Sequence, residues 1–150
     1  LYGIGCNALD EKAVNRIKEI KKREGDKPLS IMVPGISWIK EHCVIDTDLR
    51  KYLPGPYTII LKKKNPNFLK HISPTEFLGI RIPACSFSQK IKKAGVPFIT
   101  TSVNVAGESP AKSIKDIPKQ ILNQVDIIVD EGELKGQPSI LIKDGKEIKR

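Results

Sequence analysis

The segment Thr100-Thr101-Ser102-Val103-Asn104-Val105-Ala106-Gly107 gathers hydroxyls, an amide and a glycine directly behind an apolar run at 96–99. A buried strand that opens into such a segment delivers donors and acceptors to a site. The same composition also serves a Ser/Asn-rich turn, and the segment alone does not choose. Three further pieces suited to anions lie elsewhere: Lys21 with Arg23, Gly79-Ile80-Arg81-Ile82-Pro83, and Pro138-Ser139-Ile140. An ammonium and a guanidinium aimed at one place suit a polyphosphate, the arginine gripping oxygens through its planar fork and the lysine acting as a point charge. A spacing of two splays side chains apart on a helix and aligns them on extended chain, so joint service requires a helix end near Ile20. A solvated basic helix end complementing the macrodipole accounts for the pair more readily from spacing alone. Arg81, between Ile80 and Ile82, faces away from them on a strand, as a snorkelling edge residue or as a ligand contact. Ser139 opens a strand where its hydroxyl and N–H could meet a phosphate, or where any strand-start serine would stand.

Several chemistries are set aside. There is no Walker A sequence, no GxGxxG and no HExxH. His42 and His71 lack Cys or carboxylate neighbours at ligand spacing and read as surface or packing residues. Ser102 stands outside any nucleophile-elbow pattern. Donors and cations without a nucleophile fit a reaction that needs positioning and charge neutralisation, as nucleotidyl transfer does.

The chain that must position these groups has 150 residues, the size of one ordinary domain, and should bury about 68–70% of its unfolded surface. With 39% hydrophobic and 29% charged residues it has the balance of a soluble globular protein, and no apolar run approaches the ~18 residues that span a bilayer. Cys6, Cys43 and Cys85 are odd in number and widely separated, which supports neither a disulfide framework nor a zinc site and fits a reducing, cytoplasmic setting. A net charge of +9 favours anionic partners, nucleotides or RNA, without choosing between them. The run Lys62-Lys63-Lys64 reads as a solvated strand exit. Leu1-Tyr2-Gly3 reads as the end of a strand already under way, so a first structural element is expected to be missing.

Asp10 caps a first helix with Ala13, Val14, Ile17 and Ile20 on one face and Gly25 as terminator. Residues 29–33 suit a strand, Ser37 onward a short helix, and 46–53 another turn or two. Pro54-Gly55-Pro56 stops any helix before a β-branched strand at 57–61. Residues 65–76 are irregular, 79–82 a strand, and Ser86 caps a helix to Ala94 closed by Gly95. A strand at 96–101 follows. Ser113 begins a helix with Ile114, Ile117, Ile121, Leu122 and Val125 on one face and Pro118 in its early turns. Residues 126–129 and 139–143 are strands, and Asp144-Gly145 is a type I′ hairpin signal that pairs 146–150 back as the last strand. Short strands and helices with crossover and hairpin connections predict a single α/β domain, a mixed twisted sheet flanked by helices.

Taken in order, Tyr2-Gly3-Ile4-Gly5-Cys6-Asn7-Ala8, Lys21-x-Arg23 leading to Lys27-Pro28-Leu29, Leu53-Pro54-Gly55-Pro56-Tyr57-Thr58, Gly79-Ile80-Arg81-Ile82-Pro83, Thr101-Ser102-Val103-Asn104-x-x-Gly107 and Pro138-Ser139 resemble the YrdC-like family over nearly the whole chain. The resemblance implies the family's fold and the activity of its catalytic members, which make threonylcarbamoyl-adenylate and pyrophosphate from L-threonine, bicarbonate and ATP, with Mg²⁺, for tRNA modification. It implies a catalytic pair, Lys21 and Arg23, and a substrate-binding set of that pair with Arg81, Thr101, Ser102, Asn104, Ser139 and Arg150, with no metal ligand among the side chains. It also implies downstream tRNA threonylcarbamoyl-transferase machinery as partner, and a Pro-Thr-x-Thr block expected just before Tyr2. Two other readings stand beside it: an RNA-binding protein acting through a basic concave face, for which aromatics at 5% are sparse, and a carbamoyl-transfer domain of the kind embedded in hydrogenase-maturation proteins.

Overall fold

A computed structural model describes residues 1–22, 26–104 and 108–149. In chain order its elements are β1 (Gly3–Asn7), α1 (Glu11–Ile20), β2 (Ser30–Met32), α2 (Ile36–His42), β3 (Tyr57–Lys62), β4 (Phe77–Arg81), α3 (Ser86–Ala94), β5 (Phe98–Ser102), α4 (Lys119–Leu122), β6 (Ile140–Lys143) and β7 (Lys146–Ile148). The strands form one seven-stranded sheet in the order β1-β5-β2-β4-β3-β6-β7. The β2–β4 and β3–β6 pairs are parallel and the others antiparallel, which is the mixed α/β sheet that the alternation of short strands and helices predicts.

Register divides the sheet into two chemically distinct faces. Ile31 pairs with both Ile99 and Ile80, and Ile59 with both Ile80 and Ile142, so one row of isoleucines crosses five strands on one face. All five are 0–3% exposed. Val14, Ile17 and Ile20 of α1 and Ile39 of α2 join them in one buried cluster. Each aliphatic side chain fully buried there contributes about 1.5–3 kcal/mol. The opposite face carries Thr100, Ser30 and Gly79, one residue along, and Ser102, three along, because successive strand residues point to opposite sides. Helix α3 covers the far end of this second face, where Phe87 meets the Phe98 ring edge-on at 5.4 Å.

Local signals explain the element ends. Asp10 accepts the Ala13 N–H at 3.1 Å and starts α1. Asp144 and Gly145, at φ 51° and 70°, make the hairpin between β6 and β7, where only left-handed conformations match the twist of the strands.

The structure corrects four expectations. The Ser113 helix is split: a 3₁₀ turn at Ile114–Asp116 ends on an extended Ile117, and α4 restarts only after Pro118. A residue preceding proline is pushed out of the helical region, so Pro118 ends the first piece, and Val125 lies beyond the second. Residues 126–129 pair with no strand among the described residues, and Ile127, Ile128 and Val129 are 81%, 50% and 62% exposed. β-branched residues favour a pleated surface only where a neighbour supplies the ladder. Cys85, not Ser86, takes the N-cap of α3. Lys63 is not solvated but 2% exposed.

Candidate functional site

The open polar face of the sheet is assembled from the ends and alternate positions of five strands. Helix α1 ends at Ile20, as joint use of Lys21 and Arg23 requires, and Lys21 is its C-cap. From there the Lys21 side chain turns to the end of β5. Its Nζ donates to the Ser102 carbonyl, to the Asn104 carbonyl at 3.0 Å and to Asn104 Oδ1 at 3.2 Å. Ser102 Oγ donates to the same Asn104 Oδ1 at 2.6 Å, and Asn104 Nδ2 donates to the Glu108 carbonyl at 2.8 Å. Lys21, 4% exposed, thus organises the segment after β5 through its ammonium. A cation bonded to carbonyl oxygens contributes about 1.5–3 kcal/mol per bond, so Lys21 is a structural anchor of the site as well as a charge in it.

Arg81 ends β4, and its Nη1 donates across β2 to Thr100 Oγ1 at 3.4 Å. Between them the floor is low. A Cβ on Gly79 would stand 2.8 Å from Ser30 Oγ and 3.3 Å from Thr58 Cγ2, so only glycine leaves both side chains in place. At the far end Thr58 of β3 and Ser139, just before β6, join hydroxyls at 2.7 Å, brought together by the parallel β3–β6 pairing across 81 residues of chain. The face therefore runs from Lys21, Ser102 and Asn104 through Thr100, Arg81 and Ser30 to Thr58 and Ser139, an array of donors suited to an elongated anion.

Of the residues expected from sequence, Lys21, Ser102 and Asn104 meet directly, and Arg81 and Ser139 line the same face. Thr101 pairs with Ile4, so strand alternation turns its side chain to the face opposite Ser102. Arg23, Gly25, Gly107 and Arg150 lie outside the described residues. Thr100, Ser30 and Thr58 were not singled out as site residues. Period-two alternation from Ser102 back to Thr100 was the signal for the first, whereas the other two depend on strand pairing. Among the described residues no group of three His, Cys, Asp or Glu side chains could hold a metal ion. No helix is long and apolar enough to cross a membrane.

The Sua5/YciO/YrdC family model, described as telomere recombination, matches residues 1–149. A Methanocaldococcus jannaschii protein with the provisional name threonylcarbamoyl-AMP synthase is 40% identical over 95% of this chain, which spans 70% of that protein. The crystal structure of Pyrococcus abyssi Sua5 complexed with L-threonine superposes with a TM-score of 0.81 at 27% identity over 95% of this chain and 44% of that one. A solution structure of a Methanobacterium thermoautotrophicum protein, 33% identical, has a TM-score of 0.73 over 98% of this chain and 73% of its own. A match of this extent, on the fold described, makes the chain a member of the Sua5/YciO/YrdC family.

Proposed function

We propose that the protein makes threonylcarbamoyl-adenylate and pyrophosphate from L-threonine, bicarbonate and ATP, supplying the cytoplasmic machinery that modifies tRNA. The observation that carries this reading is the convergence of Lys21, Ser102 and Asn104 at one end of a polar face that continues through Arg81 to Ser139. The threonine nitrogen bonds to the carbon of bicarbonate-derived carbon dioxide and loses a proton, giving a carbamate. A carbamate oxygen then bonds to the α-phosphorus of ATP as the bond to the bridging oxygen breaks, and pyrophosphate leaves with the electron pair.

The chain's own part is to bind and to neutralise. Lys21 and the hydroxyl and amide groups it organises receive phosphoryl oxygens, and the Arg81 fork receives a carboxylate or phosphate oxyanion. Arg23 and Arg150 are assigned to the same nucleotide, and Thr101 keeps only its backbone for it. Mg²⁺ would arrive with the ATP phosphates and would add charge stabilisation beside Lys21 and Arg81. Pyrophosphate release by the purified protein given ATP, bicarbonate and threonine tests the reading. Release that requires threonine is expected, and release that ignores it overturns the proposal.

A further inference from the structure

The polar face ends in a cavity that none of the functions assigned above uses. The Val33 N–H bonds to the Arg81 carbonyl at 3.1 Å and carries the β2–β4 pairing one residue further, so Pro34 and Pro83, two beyond Met32 and Arg81, stand on the same side as Arg81. Helix α3 lies over that side, and between it and the strand ends opens a cavity of about 390 Å³. Pro34, Ile36, Leu53, Pro54 and Ile82 make its walls apolar, and no carboxylate among the described residues lines it. Ser88, on the α3 wall, donates its hydroxyl proton to the Pro83 carbonyl.

A guanidinium beside an apolar cavity suits a ligand with an anionic head and an aliphatic tail, which describes an α-amino acid. We propose that the cavity receives the side chain of the amino acid whose carboxylate the Arg81 fork holds, and that the protein also converts L-valine and L-isoleucine to their carbamoyl-adenylates. This rests on the function proposed above. The volume lies within the range of about 300–1,000 Å³ that encloses whole small ligands, well beyond what the side chain of threonine fills. A site strongly rejects an analogue that lacks a hydroxyl only where it holds a buried polar partner for that hydroxyl, and the five apolar side chains hold none. The chemistry is that written for threonine. The valine or isoleucine nitrogen bonds to the carbon of bicarbonate-derived carbon dioxide and loses a proton. A carbamate oxygen then bonds to the α-phosphorus of ATP, and pyrophosphate leaves with the electron pair of the broken bond.

Pyrophosphate release is measured with ATP and bicarbonate plus L-threonine, L-valine, L-isoleucine or no amino acid. Valine and isoleucine should each support release with kcat/KM within about tenfold of threonine. A larger deficit for either overturns the inference and leaves the function intact, whereas release that needs no amino acid sinks the function instead. Ala84 lines the cavity and is exposed, so a larger side chain there narrows the space without disturbing the core. Ala84→Phe should lower kcat/KM about tenfold more for isoleucine than for threonine, because the longer tail meets the added ring, with KM for ATP within about twofold of wild type. A raised KM for ATP in place of the amino-acid effect would put the nucleobase in the cavity, and equal losses for the two amino acids would put the side chain elsewhere. Either result overturns the inference. Methyl NMR on the wild-type protein locates the ligand without a variant: the Ile36 and Ile82 signals should shift more on titration with L-isoleucine than with glycine, and equal shifts overturn the assignment.

Discussion

Two lysines are buried to nearly the same degree, Lys21 at 4% and Lys63 at 2% exposure, and both spend their ammonium groups on backbone carbonyls. Lys63 donates to the Phe68 and Ser73 carbonyls, each at 3.0 Å, and so ties the irregular chain between β3 and β4 to the strand it leaves. It forms an isolated bridge with the buried Cys43, and Phe68, whose carbonyl it bonds, stacks its ring on His42. Lys21 also holds a connecting segment, but its third acceptor is the Asn104 amide oxygen, shared with the Ser102 hydroxyl, and both residues belong to the open polar face. Burial of a cation therefore does not identify a site. A buried cation marks one when its acceptors are themselves side chains that a ligand could reach.

The largest effect is expected at Lys21. Lys21→Met keeps much of the aliphatic stem and removes the charge, and it should lower kcat/KM for threonine-dependent pyrophosphate release about a hundredfold, the scale of losing one preorganised electrostatic partner. It should also lower the melting temperature, since the Ser102 and Asn104 oxygens lose their donor. Lys63→Ala should break the comparison in the other direction. Two carbonyls and a cavity are left in a closed loop, at a cost of about 3 kcal/mol, or about 10 °C in melting temperature, while the kinetic constants of the folded protein stay within about twofold. If Lys63→Ala instead abolished turnover in protein that remained folded, the division between anchor and site would fall.

A subtler consequence is a difference in alkaline behaviour. Burial pushes the Lys63 ammonium below the ordinary lysine value, and the neighbouring Lys70 pushes the same way, against a smaller opposing influence of Cys43. The unfolded chain keeps this proton to higher pH than the folded one, so across the window below the ordinary lysine value the unfolded state binds more protons and stability rises with pH. Cys43 works in the opposite sense: burial pushes its thiol up to about 11 despite Lys64 and Lys63. The folded state therefore holds that proton longer, and stability is lost as pH climbs from the unfolded thiol value toward about 11. Denaturant titrations of wild type and Lys63→Met in parallel leave the thiol contribution in both. The gap between them should widen in favour of wild type through the alkaline limb, and parallel curves would show that the ammonium is not desolvated.

Sequence patterns reached the parts of this contrast that are local. The spacing of Val14, Ile17 and Ile20 behind Asp10 located α1, and ending it at Ile20 placed Lys21 for the turn to Ser102 and Asn104. Arg81, between two isoleucines on a strand, and Ser139, at a strand start, were also legible as candidates, whereas Thr100, Ser30 and Thr58 were not. Properties set by pairing were beyond reach. Lys63 sits between two exposed lysines, and only the Cys43 bridge and the return of the chain at Ser73 bury it. Thr58 and Ser139 meet because β3 and β6 run parallel, a partnership that no residue in either strand announces. Residues 126–129 show the converse, a strand-like composition without a partner among the described residues.

The smallest effects should come from the two neighbours of Lys63. Alternation at the end of β3 places Lys62 and Lys64 on the solvent side while Lys63 turns inward. Lys62 Nζ stands 3.4 Å from Glu76 Oε2 with both side chains about half exposed, and Lys64 Nζ donates to the Lys40 carbonyl at 2.6 Å in an exposed position. Water competes for each of these contacts and holding a long side chain in place costs entropy, so Lys62→Ala and Lys64→Ala should each change stability by no more than about 0.5 kcal/mol, with turnover unaffected. The effect of Lys62→Ala should shrink further in high salt, which screens exposed ion pairs. A loss at Lys62 or Lys64 approaching that of Lys63→Ala would mean that the whole basic run acts as one unit. The inward turn of a single residue would then no longer account for the anchoring of the loop.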